Sequence, residues 1–167
     1  MTTIRRASVE DAAAIGAVHV RAWQAAYRGQ MPDGYLDGLR ASDRADGWAR
    51  SLARERDDAR VLVAERDGAV VGFAVVGPAQ DPAGLGELYA INVDPDRWGG
   101  GAGRALLEAA QASLAALGHA EAVLWVLPGN RRARRFYERA GWSADGAERT
   151  QEVQGVVVDE VRYRRRL

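Results

Sequence analysis

Residues 94–111, "DPDRWGGGAGRALLEAAQ", place four glycines within five positions and then continue as a helical pattern. Glycine loses more conformational freedom on folding than any other residue, so it is retained where the backbone needs unusual angles or where another group approaches closely. The apolar residues Leu106, Leu107, Ala110 and Leu114 recur at helical spacing. The stretch therefore predicts a glycine loop, residues 99–103, at the N-terminus of a helix.

Strand patterns lie on both sides of this unit. The run "ELYAINV" (87–93) precedes the glycine loop, and "AVLWVL" (122–127), apolar on both faces as in an interior strand, follows the helix. A strand, a crossover helix and a second strand form a parallel pair. Free N–H groups and the dipole at the helix N-terminus attract anions, and Arg104 in the first turn opposes the dipole unless an anion is bound there. We therefore expect a phosphate at the loop, whereas a merely tight turn needs only one or two glycines.

Two common phosphate-binding motifs are absent. A Walker loop requires Lys followed by Ser or Thr, and all 23 basic residues of this chain are Arg. The dinucleotide fingerprint requires a third glycine where this sequence has Arg104 or Leu106. The phosphate ligand is therefore expected to belong to another class of molecule.

The remaining sequence alternates strand and helix signals. Ser8 is a predicted N-cap, and the first helix should extend to about Tyr27. Asp67-Gly68 and Gln154-Gly155 each predict a hairpin turn. Further elements are predicted as a first strand over Thr3–Arg6, a second helix over 42–53, strands over 60–65 and 69–77, and a short helix after Asn130 that ends at Gly141.

Length and composition limit the number of domains, the partners and the kinds of site that this chain can have. A chain of 167 residues suits a single domain, 1–167. The 23 acidic residues balance the 23 basic ones, so the overall charge favours neither a nucleic acid nor a membrane as partner. The absence of Cys excludes disulfides, thiolate metal sites and a Cys nucleophile. With no apolar leader or spanning run, we expect a cytoplasmic protein.

Three stretches resemble one family. "VDPDRWGGGAGRALL" (93–107) is similar to the acetyl-CoA loop of the GNAT superfamily of N-acetyltransferases, usually written Gln/Arg-x-x-Gly-x-Gly/Ala. "LPGNRRARRFYERAGW" (127–142) resembles the segment that follows it in that family, and "HVRAWQAAYRG" (19–29) resembles the first helix of small bacterial members. Trp98 occupies the Gln/Arg position, with Arg97 one place early, so the resemblance implies a binding role for the backbone there and none for the side chain.

The resemblance implies a fold. It is a GNAT-like three-layer α/β (α+β) fold with a central mixed, mostly antiparallel sheet of about seven strands, flanked by about four helices. A bulge near Asn92 would splay the strand 87–93 from the strand 122–127. The pantetheine arm of the cofactor would then lie in the gap and pair with the main chain around Ile91 and Val93.

It also implies acetyl-CoA as cosubstrate, with no metal. The pyrophosphate would rest on backbone amides of Gly99, Gly100, Gly101, Ala102, Gly103 and Arg104. Asn130 would contact the cofactor farther along its arm, cap its helix, or do both. Tyr137 matches the family's general acid, a phenol beside the CoA sulfur; the alternative is an aromatic residue that only packs beside Phe136.

The resemblance leaves three candidates for the general base, namely Glu87, Tyr89 and an ordered water. Glu87 lies eleven residues before Trp98, the spacing of the catalytic glutamate in histone-type members. Other members use an ordered water or a tyrosine, and Tyr89 would face the same side of the strand as Glu87. His19 titrates in a useful range, but a single His on a helix is more often structural.

The resemblance implies an acetyl-CoA-dependent N-acetyltransferase, and we expect its acceptor to be a primary amine of a small molecule or an amino acid. The family's first helices wall the acceptor site, so Trp23, Tyr27 and Tyr35 are expected to line it together with Tyr89; an ordinary core role is the alternative. Two other functions stay open, a protein or peptide N-terminal acetyltransferase and a non-enzymatic acyl-CoA-binding module. Dimers are common among members, so a homodimer is compatible with the resemblance.

Overall fold

The computed structural model describes all residues, 1–167, and joins seven strands in one mixed sheet. The strand order is β1-β2-β3-β4-β5-β7-β6. The β4–β5 pair is parallel, as the crossover helix predicts, and all other neighbours are antiparallel. The strands are β1 (Thr3–Arg6), β2 (Arg60–Arg66), β3 (Ala69–Pro78), β4 (Gly86–Val93), β5 (Glu121–Val126), β6 (Ser143–Val153) and β7 (Val156–Arg166).

Helices cover both faces of the sheet. They are α1 (Ala12–Ala26), α2 (Asp33–Asp37), α3 (Ala41–Leu52), α4 (Ala102–Ala116) and α5 (Arg131–Arg139). On one face α1 and α3 pack over Val63 and Phe73, and on the other α4 and α5 bury the largest apolar cluster, which includes Leu106 and Tyr137. The predicted three-layer architecture is thus confirmed, with four helices of nine or more residues and the unpredicted short α2. No helix is both long and apolar enough to cross a membrane.

The two predicted hairpin turns are confirmed. Asp67 and Gly68 have φ of 53° and 77°, and Gln154 and Gly155 have φ of 52° and 85°. Positive φ at both central residues is the requirement of a type I′ turn, whose twist matches that of the flanking strands. These turns fix the antiparallel β2–β3 and β6–β7 pairs.

Strands β4 and β5 diverge in the middle of the sheet. They pair only at Gly86–Ala122 and Glu87–Val123. In the β3–β4 register Leu88 faces Val76 and Ala90 faces Val75, so Tyr89 is the extra residue of a β-bulge. The expected bulge near Asn92 was therefore placed wrongly, because the register irregularity comes three residues earlier. A bulge bends its strand, and β4 accordingly turns away from β5 beyond Glu87 and leaves a gap.

Candidate active site

The gap between β4 and β5 opens into a cleft of about 620 Å³, lined by 30 residues of which 19 are hydrophobic. A volume of this size with a few polar groups in an apolar wall is typical of a small-molecule site. The cleft extends from the glycine loop to the side of the sheet covered by α1. We call the region beside Gly99, Gly101 and Gly103 the loop end. The region beside Trp23 and Tyr27 is called the acceptor pocket.

The glycine loop exposes backbone at the start of α4. Gly101 is the N-cap residue of α4 and has φ of 87°, a conformation that costs other residues about 1–2 kcal/mol. With Gly99 and Gly103 it lines the cleft. The first N–H groups of α4 lack intrahelical partners, which makes this end suitable for an anion.

Two residues of the predicted cofactor set face away from the cleft. Gly100 faces β2, where a Cβ atom would lie 2.6 Å from Nη1 of Arg66. The side chain of Ala102 is packed in the core and is 1% exposed. Neither residue lines the cleft, so any contact they make with a ligand is limited to their backbone amides.

Arg104 has a partner within its own helix, which sequence reasoning did not identify. Its Nε donates to Oε1 of Glu108 at 2.9 Å, an i,i+4 pair on the exposed surface of α4. The charge of Arg104 is thus balanced within the helix. Arg104 also lines the cleft, so the expectation of a bound phosphate beside it stays a prediction.

Trp98 and Arg132 form a stacked pair at the loop end. The Trp98 Nε1 donates to the carbonyl oxygen of Val93 at 2.9 Å, and the Arg132 guanidinium carbon lies 3.6 Å from the centre of the indole ring. Arg132 has no acidic partner, and burial lowers its pKa from the usual value. Sequence reasoning gave neither side chain a role, because their contact joins two segments that lie far apart in the chain.

The main chain of Ile91 and Val93 faces the gap. The Asp94 amide donates to the Val71 carbonyl at 2.8 Å, so the hydrogen bonds of β4 to β3 fall on alternate residues and leave those of Ile91 and Val93 on the other side. Both residues line the cleft. Asn130 also lines it, and its Oδ1 accepts from the Ala133 amide at 3.3 Å, so it caps α5 as well.

Tyr137 brings a free hydroxyl to the cleft. Its ring packs in the core, 5.4 Å from Phe136 and 6.5 Å from Trp142 between ring centres, while the hydroxyl has no hydrogen-bond partner in the protein. Burial, with a contribution from the neighbouring Tyr27, raises the pKa of Tyr137 well above that of a free phenol. The hydroxyl is therefore protonated and free to donate a hydrogen bond into the cleft.

Glu87 is a buried carboxyl beside the cleft rather than in its wall. It is 9% exposed and makes no hydrogen bond. Burial raises its pKa to about 7, with Glu160 adding to the increase and Arg149 opposing it. That pKa suits a general base at neutral pH. Because Glu87 does not line the cleft, it would reach an acceptor only through an intervening water.

Tyr89 and the titratable His19 are both engaged elsewhere. Tyr89 lines the cleft, but its hydroxyl donates to the carbonyl oxygen of Pro78. His19 lies outside the cleft, where its Nδ1 accepts from Trp48 Nε1 at 3.2 Å. Burial lowers the pKa of His19 to about 4, so it is neutral and its role is in packing.

Aromatic and apolar side chains surround one carboxylate in the acceptor pocket. The structure places Trp23 of α1 and Tyr27, which caps the end of α1, in its wall, together with residues that sequence reasoning missed. Six define the pocket: Trp23, Tyr27, Met31, Leu127, Val153 and Glu160. Tyr35 does not line the cleft; its ring packs on the same apolar cluster as Met31 and Leu127, and its hydroxyl donates to Gln154 Oε1 at 3.0 Å on the β6–β7 turn. Its expected role at the acceptor site stays a prediction.

Comparison with known proteins settles the family. The sequence matches the acetyltransferase (GNAT) family over residues 20–142. This chain belongs to the GNAT family. It is 37% identical over 134 residues to an uncharacterised N-acetyltransferase, YuaI, of Bacillus subtilis, covering 78% of this chain and 74% of that protein. The mycothiol acetyltransferase of Acidimicrobium ferrooxidans is 42% identical over 100 residues, 56% of this chain but only 32% of that protein.

Solved structures show the same fold. PaiA N-acetyltransferase from Thermoplasma acidophilum, determined in complex with coenzyme A, superposes with a TM-score of 0.77 at 20% identity and covers 100% of this chain and 99% of that chain. The GNAT resemblance drawn from the glycine loop and the 127–142 segment is thus confirmed. This GNAT chain is accordingly an acyltransferase.

Proposed function

We propose that residues 1–167 form one acetyl-CoA-dependent N-acetyltransferase domain that acts on a primary amine of a small molecule. The proposal rests on the observation that the cleft is one continuous space. It joins the exposed backbone of the glycine loop, the free hydroxyl of Tyr137 and the apolar acceptor pocket. A cofactor bound along β4 would place its thioester between the hydroxyl and the acceptor pocket.

The loop end supplies groups that complement the cofactor. The N-terminus of α4 provides amides for the pyrophosphate, and Arg132 adds an unpaired cation beside the same loop. The main chain of Ile91 and Val93 provides partners for the amides of the pantetheine arm. These contacts use the backbone and one stacked arginine, so they do not depend on the family's usual Gln/Arg side chain at position 98.

The reaction is a direct transfer in a ternary complex. The ammonium first loses a proton through water to Glu87; its nitrogen then attacks the thioester carbon, and an N–C bond forms as the C–S bond breaks. The tetrahedral nitrogen gives up a second proton to solvent, and Tyr137 donates a proton to the CoA thiolate. When the products leave, Glu87 returns its proton through solvent to Tyr137, so both groups regain their starting states. The balance is one amide, one free thiol and one proton released to solvent.

The shape of the acceptor pocket favours a small acceptor over an extended peptide. Met31, after α1, and Val153, at the end of β6, both contribute to its wall. A groove for an extended chain would need this region open. A binding module without catalysis is disfavoured by the unpartnered Tyr137 hydroxyl and the raised pKa of Glu87, which binding alone does not require.

Release of free thiol from acetyl-CoA across a panel of amines and peptides is the direct test. Thiol release that depends on a small amine supports the proposal. Release only with peptides would favour the N-terminal acetyltransferase. Tight CoA binding with no release by any acceptor would favour the binding module.

Coenzyme A should stabilise the folded protein. A ligand present at 100 times its Kd, and bound only by the native state, adds about 2.7 kcal/mol to the free energy of unfolding. For a domain of this size that corresponds to a rise in Tm of roughly 5–10 °C. Differential scanning fluorimetry with millimolar CoA measures it, and an unchanged Tm would contradict cofactor binding in the cleft.

The dependence of kcat/KM on pH should show the ionisation of Glu87. Because the base must be ionised and its pKa is about 7, kcat/KM should fall about tenfold per pH unit below that value. Glu87→Gln should lower the plateau and remove this limb, whereas Tyr89→Phe should retain it. A limb near pH 7 that persists in Glu87→Gln would assign the base to another group.

The stability of Glu87→Gln provides an independent readout. The folded-state pKa of Glu87 is raised from 4.5 to about 7, so the stability that its neutral form provides is fully present below pH 4.5 and is lost as the pH rises through about 7. Gln carries no charge and avoids that loss. We therefore expect the variant to have the higher Tm at pH 8 and no such advantage at pH 4, as measured by thermal scans in matched buffers.

A further inference from the structure

Glu160 presents one carboxylate oxygen to the acceptor pocket. The residue is 8% exposed, and its Oε1 accepts from Nε of Arg149 at 3.0 Å, while Oε2 accepts no hydrogen bond from the protein. Buried carboxylate oxygens are normally paired with donors. An ammonium group carries three donors and a positive charge, and it suits the free oxygen.

The acceptor pocket has no unpaired cationic side chain that could bind a carboxylate of the acceptor. Arg149 is engaged by Glu160, and its guanidinium lies 4.1 Å from the centre of the Trp125 ring. Arg162 pairs with Asp145 at 2.7 Å. Three arginines line the cleft without an acidic partner: Arg97 just before the glycine loop, and Arg132 and Arg139 on α5.

The rest of the pocket suits an apolar body. Trp23, Tyr27 and Leu127 present aromatic and aliphatic surface next to Glu160. Aromatic faces attract cations as well as apolar groups. An α-carboxylate placed in this wall would lose its hydration without gaining a partner, and the charge of Glu160 would repel it.

We propose that the acceptor is an apolar cationic amine without a carboxylate, such as an arylalkylamine, held by its ammonium on Oε2 of Glu160, and that amino acids are poor acceptors. This assignment rests on the proposed acetyltransferase function. Glu160 is then the residue that determines specificity for the charge of the acceptor, while the aromatic wall holds its apolar body.

Matched acceptors test the assignment in the unaltered protein. Thiol release is measured with phenethylamine, L-phenylalanine and L-phenylalanine methyl ester, of which only the amino acid carries a carboxylate. We expect kcat/KM for phenethylamine to exceed that for phenylalanine at least tenfold, and the ester to recover most of the difference. A kcat/KM for phenylalanine equal to or above that for phenethylamine would overturn the assignment. So would a kcat/KM for the ester as low as that for the amino acid, because the size of the substituent and not its charge would then limit the reaction.

Two variants separate charge recognition from folding. Glu160→Gln should raise KM for phenethylamine at least tenfold, leave KM for acetyl-CoA unchanged and narrow the amine-to-amino-acid ratio. Arg149→Gln also breaks the ion pair but keeps the carboxylate, so the preference for amines should remain. An unchanged ratio in Glu160→Gln would overturn the assignment. Thiol release by none of the acceptors, peptides included, despite CoA binding would instead overturn the proposed function, and the assignment with it.

Discussion

Tyr137→Phe should lower kcat by about 10²-fold and leave the affinity for CoA nearly unchanged. General acid catalysis contributes roughly 10²–10⁴-fold, and a thiolate is a fairly good leaving group, which places the effect at the lower end of that range. The substitution keeps the ring that packs beside Phe136 and Trp142 and removes only the hydroxyl. Because burial raises the pKa of Tyr137, the loss should be uniform across the accessible pH range.

Tyr163→Phe is the matched control. Tyr163 packs in the same cluster, but its hydroxyl accepts from Arg134 at 2.9 Å and donates to Glu138 at 2.7 Å, and it does not line the cleft. This variant should lose about 1–3 kcal/mol of stability with kcat retained, the opposite of Tyr137→Phe. Steady-state kinetics and thermal scans of both variants measure the contrast. Wild-type kcat in Tyr137→Phe would mean that solvent protonates CoA and that the tyrosine is structural.

Gly101→Val should weaken CoA binding by roughly 10²-fold. A β-branched side chain would enter the space in front of the α4 amides, where a Cβ atom at position 101 would have nothing within 4 Å. Loss of one hydrogen bond to a charged phosphate costs about 1.5–3 kcal/mol, which corresponds to roughly 10- to 150-fold in Kd. Titration calorimetry with CoA measures the change.

Gly118→Val controls for backbone strain. Gly118 follows the other end of α4, has φ of 96° and likewise has open space around a Cβ position. Both variants force valine into a left-handed conformation, so both should lose similar stability. Only Gly101→Val should lose CoA affinity. Equal CoA affinity in the two variants would mean that the glycine loop is only a turn.

Features determined within a few residues could be predicted from the sequence. The Asp67-Gly68 turn, the start of α4 after Gly101 and the parallel crossover to β5 each follow from local residue types and spacing. The bulge could not be placed, because it depends on how β3 and β4 pair. Gly77 on β3 leaves room for the Tyr89 ring, which would lie 3.1 Å from a Cβ at that position.

The missed residues of the site share a long-range origin. Glu160 reaches the pocket because β7 inserts between β5 and β6, a strand order that periodicity does not specify. Arg149, the cross-strand partner of Glu160, then donates a hydrogen bond to one of the two carboxylate oxygens of Glu160. The hydrogen bond of Tyr35 to Gln154 has the same kind of origin, since Gln154 lies on the turn between β6 and β7. The sequence thus showed which residues could take part in the chemistry, but it did not show which residues they would contact in the fold.

The divergence of β4 and β5 has a consequence for how this protein avoids aggregation. Open strand edges normally lie at the periphery of a sheet, where they can recruit other polypeptides. Here the unpaired stretch lies at the centre of the sheet, where α1 and α4 pack against β4. In the proposed complex the pantetheine arm, with its two amides, completes the ladder as a substitute strand. The amides of Ile91 and Val93 should then exchange with solvent deuterium more slowly when CoA is bound.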